Sequence, residues 1–195
     1  CGLWSALEER PAAPMTALIT DIGNDILYGA SPEMILAWLE LCLSKLAPRC
    51  ERIVITELPM QGVRDLQPLR FRIARTISFP RCRLSLQEVS SRASCLNSGL
   101  KALAEKFNAT LAQPSPAWYG FDPIHPRRSA AGDIWQRMLG ALSPSPSAPP
   151  LVRPDTIAAM RLYQLKPHAW SVYGWSRCAE QPCGRLADGT TIAIY

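Results

Sequence analysis

Thr16-Ala-Leu-Ile-Thr-Asp-Ile22 and Arg52-Ile-Val-Ile-Thr-Glu-Leu58 are two apolar runs on either side of a helical pattern, and the stretch they bound decides the fold. Both carry hydrophobic residues at successive rather than alternating positions, as parallel strands buried on both faces do. Pro59 ends the second run, because proline has no N–H to give to a ladder. Between the runs, Ser31-Pro-Glu33 combines an N-cap hydroxyl, a proline suited to the first helical turn and an early acid. Ile35, Trp38, Leu39, Cys42 and Leu46 then recur at helical spacing. The unit reads as strand, helix, strand, so a right-handed crossover onto a parallel sheet is expected.

Working outward, Val89, Leu96, Leu100, Leu103, Phe107 and Leu111 fall on one helical stripe, and Ile134, Trp135, Met138, Leu139 and Leu142 on another. Such helices cover a sheet, and the predicted class is α/β, a three-layer α/β/α domain around a parallel sheet. Gln61 to Arg83 is rich in Arg and Pro without a clean period and reads as a long irregular excursion near the carboxyl edge of the sheet. Ser143-Pro-Ser-Pro-Ser-Ala-Pro-Pro150 reads as a stiff extended linker. The expected division is a domain over residues 1–142, a Pro-rich linker over 143–154 and an accessory segment over 155–195. That segment offers an amphipathic piece from Ile157 to Leu165, the aromatics Trp170, Tyr173 and Trp175, and a terminal strand from Thr190 to Tyr195. It is too short to bury a core alone, so it is expected to pack on the domain or on a partner.

Two short motifs carry the chemistry. Gly23-Asn24-Asp25 follows the first apolar run, where an open α/β sheet places its ligands, and an Asn there can donate to a developing oxyanion. Asp122-Pro-Ile-His125 sets an Asp three residues before a His, a spacing that lets the carboxylate fix the ring's tautomer. The run Ala17-Leu-Ile-Thr-Asp-Ile-Gly-Asn-Asp25 resembles the third sequence block, Gly-x-Asn-Asp, of the SGNH hydrolases, the GDSL esterases and lipases, with Ile22 at the first Gly position. Asp122-Pro-Ile-His125 resembles their last block, Asp-x-x-His, and the order is the family's. The resemblance spans roughly residues 1 to 142 and implies a flavodoxin-like SGNH fold and acyl-ester hydrolysis by a Ser-His-Asp triad without a cofactor. It implies His125 as base, Asp122 as its orienting partner and Asn24 as oxyanion donor, supported by Gly23 and Asp25. Gly2 stands where the second block's Gly would give a further N–H.

The family's first block, Gly-Asp-Ser on the first strand, does not occur in the chain. The expectation is that this strand and its serine lie upstream of Cys1, so that the chain as it stands is inactive and lacks the first strand of its sheet. Ser176, in Gly174-Trp-Ser176 after Ala169-Trp-Ser-Val-Tyr173, is an alternative nucleophile in a permuted arrangement. A non-catalytic relative that binds a ligand or partner is the alternative function. The substrate expected of the enzyme is a small-molecule, lipid or sugar ester.

Composition limits the remaining classes. The chain of 195 residues has 48% hydrophobic and 19% charged residues, an ordinary globular balance. It has no uninterrupted apolar run long enough to span a bilayer and no visible signal peptide, so no transmembrane segment is expected and a cytoplasmic location is favoured. The net charge of +5 owes much to Arg64, Arg70, Arg72, Arg75, Arg81 and Arg83, which read as a solvated face or as a loop attracting anionic substrates or lipid headgroups. No aromatic interleaving accompanies them, so nucleic acid is not expected as a partner. Seven scattered cysteines suit reduced thiols better than a disulfide framework. Cys178, Cys183 and His168 could be written as three zinc ligands, but the spacing is loose and no fourth lies near, so no metal is expected.

Overall fold

The computed structural model describes residues 2–11, 13–120, 125–143, 156–186 and 188–195. In chain order the elements are α1 (Leu3–Glu9), β1 (Thr16–Ile19), α2 (Pro32–Leu46), β2 (Arg52–Thr56), α3 (Met60–Arg64), α4 (Pro68–Ser78), α5 (Leu86–Lys106), β3 (Thr110–Ala112), α6 (Ala131–Leu142), α7 (Thr156–Tyr163), β4 (Ala169–Val172), β5 (Trp175–Cys178), β6 (Gly184–Arg185) and β7 (Thr191–Ile192). They form two compact units, Pro14–Leu151 and a second made of Cys1–Ala13 with Val152–Tyr195. The first thirteen residues thus group with the C-terminal segment, whereas the expected division placed them in the domain over 1–142. No described helix is long and apolar enough to cross a membrane.

The larger unit is α/β. Its sheet runs β1-β2-β3, all parallel, with Leu18 opposite Val54 and Ile55 opposite Leu111. β2 is central and apolar on both faces: Ile53 and Ile55 enter one core with Leu39, Leu43, Leu96 and Leu100, while Val54 enters a second with Ala112, Trp118 and Met138. α2 and α5 therefore cover one face and α6 the other. β1 pairs only with β2 among the described residues, so its outer edge is open.

Local chemistry sets the element ends. Ser31 accepts the Met34 N–H at the start of α2, with Pro32 in the first turn, as expected. Ile35, Leu39 and Leu43 form the buried stripe of α2, whereas Trp38 lies on its margin and is 49% exposed. α5 opens with a capping box in which Ser85 and Glu88 satisfy each other's backbone N–H. It closes at Asn108, whose φ of 51° is left-handed, with the Ala109 N–H returning to the Ala104 carbonyl. That closure removes Leu111 from the helical stripe and puts it on β3. Gly99 suits the close packing of α5 on α2: a Cβ there would force the Leu36 side chain to move.

The stretch Gln61 to Arg83 is helical where an irregular excursion was expected. α3 and α4 each bury a single residue, Val63 and Phe71, too few to give the sequence a visible period. β1 stops at Ile19, short of Ile22, because Asp21 takes a φ of 60° that no strand can continue. In the smaller unit β4 and β5 form an antiparallel hairpin through the positive-φ pair Tyr173 and Gly174. The expected terminal strand is reduced to β7, which pairs with β6.

Leu96 is fully buried between the two helices and the sheet, so Leu96→Ala is expected to cost about 2–5 kcal/mol in urea denaturation. Hydrogen bonds from the Ser85 backbone and side chain hold the Glu88 carboxyl below its ordinary value. Its contribution to stability is present above the unfolded-state pKa and is lost as pH falls through the folded one. Glu88→Gln should therefore flatten the acidic limb of a stability-against-pH curve and leave the neutral-to-alkaline slope unchanged.

Candidate functional site

The carboxyl ends of β1, β2 and β3 open into a cavity of about 430 Å³. Its floor is apolar, built from Leu18, Ile26, Leu58, Val89 and Met138, and its polar groups come from Thr20, Asp21, Asn24, Thr56, Glu57, Tyr119, Arg127 and Arg128. An apolar cleft with a few convergent polar groups at this end of a parallel sheet is where such folds bind small molecules.

Asn24 reaches the cavity through a chain of turns. Asp21 reverses the backbone after β1, the Asn24 N–H donates to the Asp21 carbonyl at 3.5 Å, and residues Asn24–Ile26 form one 3-10 turn. Gly23 sits in the right-handed helical region, so a special backbone angle is not what fixes it. A Cβ at Gly23 would stand 3.1 Å from Leu58 Cδ2, so glycine lets the turn press onto the end of β2. The Asn24 side chain is half-buried in the cavity wall and makes no hydrogen bond among the described residues, which leaves its amide free to donate to a ligand. Asp25 holds the turn from behind: its backbone carbonyl accepts the N–H groups of Tyr28 and Ala30.

The other wall is the segment from Pro114 to Tyr119 and the start of the last large-unit helix. Trp118 is buried, and Arg127 clamps this segment through bonds to the Trp118 and Ala117 carbonyls. Burial pushes the Tyr119 phenol above its ordinary value, and the nearby Asp21 carboxylate adds to the shift. Tyr119 is therefore a neutral hydroxyl at physiological pH, able to donate into the cavity.

Asn97 and Glu57 had no place in the sequence reading. Asn97 is the buried polar residue of the core: its Oδ1 accepts the Leu58 N–H at 3.0 Å, and its Nδ2 donates to Glu57 Oε2 at 3.3 Å. One α5 side chain thus terminates β2 and aims Glu57 at the cavity. A polar residue inside the apolar stripe between Leu96 and Leu100 was the available signal.

The remaining predicted residues fall as follows. His125 is exposed and directly precedes Pro126, Arg127 and Arg128, all three on the cavity lining. Asp122 lies outside the described residues, so its relation to His125 does too. Gly2 belongs to the smaller unit, where a Cβ would stand 3.2 Å from the His168 ring and 3.4 Å from Tyr195, and not to the unit that carries Asn24. Ser176 is exposed in the middle of β5, opposite Ser171 in the hairpin. A nucleophile elbow needs a strand-to-helix turn, and the hairpin has none. Among the described residues no three His, Cys, Asp or Glu side chains converge as metal ligands.

No protein-family model matches the chain, and no curated protein matches it.

Asn97→Ala leaves the Leu58 N–H buried without its acceptor and is expected to cost about 1–3 kcal/mol, read as a lower urea midpoint at unchanged slope.

Proposed function

We propose that the larger unit is the body of an ester hydrolase of SGNH type, in which the cavity receives an acyl ester and Asn24 donates to the tetrahedral oxyanion. The observation that carries this reading is the placement of Asn24: a half-buried, unengaged amide in the wall of an apolar cavity at the carboxyl end of a parallel sheet. His125 enters as the base, on the segment that forms the cavity rim, with Asp122 as its orienting partner. The consecutive parallel order β1-β2-β3 supports the family's fold, since it is the order found on one side of a flavodoxin-like 2-1-3-4-5 sheet.

In that order the first strand of the family pairs with the strand that carries the Asn. The edge that would receive it is the open edge of β1. The nucleophilic serine is accordingly assigned to a strand that adds there, with the Gly-Asp-Ser block the chain itself does not contain. The His takes the serine proton, the serine oxygen attacks the ester carbonyl, and the oxyanion draws on the Asn24 amide and on backbone N–H groups. The apolar floor suits an acyl chain, and the Tyr119 hydroxyl is a further donor within the same cavity.

In a protein that includes the serine strand, Asn24→Ala is expected to lower turnover by about two to three orders of magnitude, equivalent to ~2.7–4 kcal/mol of barrier. Labelling by a serine-directed phosphonate probe should depend on His125. Unchanged turnover in Asn24→Ala removes Asn24 from the mechanism, and a folded protein that never labels identifies a non-catalytic binding domain instead.

A further inference from the structure

α4 has an inner face and an outer face that are both apolar. Phe71 is its buried anchor, 6% exposed. Leu69, Ile73 and Ile77 follow one another at four-residue spacing on the opposite side and are 60%, 48% and 76% exposed. Three aliphatic side chains in a row along a surface helix are not accounted for by the core. Tyr28, itself 76% exposed, stacks edge-on against Phe79, the residue after α4, at 5.3 Å between ring centroids.

The charge along this stretch of the chain is of one sign. Between Asp65 and Glu88 the chain holds five arginines and no acidic residue. Two of them serve the fold: Arg70 donates to the Gly120 carbonyl at 2.7 Å and Arg75 to the Leu84 carbonyl at 2.8 Å. Arg72, Arg81 and Arg83 are exposed, and their side chains make no hydrogen bond or ion pair among the described residues. A second copy of the chain is a poor occupant, because it would bring the same positive charge to the contact. An exposed aliphatic row flanked by unpaired arginines has the composition of a helix that lies in a membrane interface.

We propose that α4 docks this protein on an anionic lipid surface, with Leu69, Ile73 and Ile77 entering the headgroup boundary and Arg72, Arg81 and Arg83 meeting lipid phosphates. The Arg70 bond ties α4 to the segment carrying Trp118 and Tyr119, which forms one wall of the cavity. The docking does not depend on the hydrolase reading, and binding without any esterase activity leaves it intact.

The test is sedimentation of the full chain with vesicles of phosphatidylcholine alone and of phosphatidylcholine mixed with phosphatidylglycerol. Binding is expected only to the anionic vesicles and should weaken as salt rises. Arg72, Arg81 and Arg83 changed together to Gln should lower the partition coefficient on the order of a hundredfold, about fivefold for each charge. Ile73→Ser with Ile77→Ser removes most of the stripe without changing any charge and should lower it by roughly tenfold or more. These positions face solvent, and unchanged melting curves certify that the variants fold. No binding to anionic vesicles, or binding unaffected by either set of substitutions, overturns the proposal. Capture of an acidic protein through this face in the absence of vesicle binding also overturns it.

Discussion

β2 must be apolar on both faces, and the larger unit is arranged around that need. Ile53, Val54 and Ile55 are 4%, 0% and 0% exposed, which is possible only if helices cover the strand from both sides and strands flank it on both edges. Parallel pairing makes the connections long, and the connections are the covering helices. α2 and α5 can then share one face only if they approach closely. The absent side chain at Gly99 permits this where it meets Leu36, and the Lys106–Glu40 ion pair lies across the same contact at the surface. The cavity is a by-product of this arrangement: where the strands end, the helices and loops continue, and the space between them is lined by whatever the turns present.

How those turns are held explains why the site is ordered without a large hydrogen-bond network. The end of β2 is gripped from α5 by Asn97, the turn after β1 is pressed onto Leu58 by Gly23, and the far wall is clamped by Arg127. The Asn97 and Gly23 contacts join residues far apart in sequence, so that side of the cavity forms only when the sheet and α5 are in place, whereas the Arg127 clamp is local to its own segment. Burial of Asn97 is tolerated because its oxygen and nitrogen both find partners on the β2 exit. Loss of the Leu58 bond would leave a buried backbone N–H without its acceptor.

Much of this was legible in the chain and some was not, for identifiable physical reasons. β2 and the N-cap of α2 were visible because each rests on a strong local signal, a β-branched run and a Ser-Pro-Glu triplet. Asn24 was visible as a position because a strand exit is where an α/β sheet exposes a side chain. α4 was hidden because its sole buried residue is Phe71, and one residue makes no period. The end of α5 was misplaced because Asn108 can adopt a left-handed angle that only the fold reveals. The grouping of Gly2 with His168 and Tyr195 is a contact between opposite ends of the chain, and spacing says nothing about such contacts. Glu57 and Tyr119 take their roles from what surrounds them: one aimed by Asn97, the other kept protonated by burial.

Asp21 holds its place at an energetic cost. Its left-handed backbone stores roughly 1–2 kcal/mol that a glycine would not, and native stability is only about 5–15 kcal/mol in all. A sequence tuned for ruggedness alone would relax that bend. Retaining a carboxylate there instead places a negative charge between Thr20 and Tyr119 on the cavity wall. Strain in the backbone thus fixes where a charge stands on the cavity wall, and a relaxed bend would leave that charge free to wander.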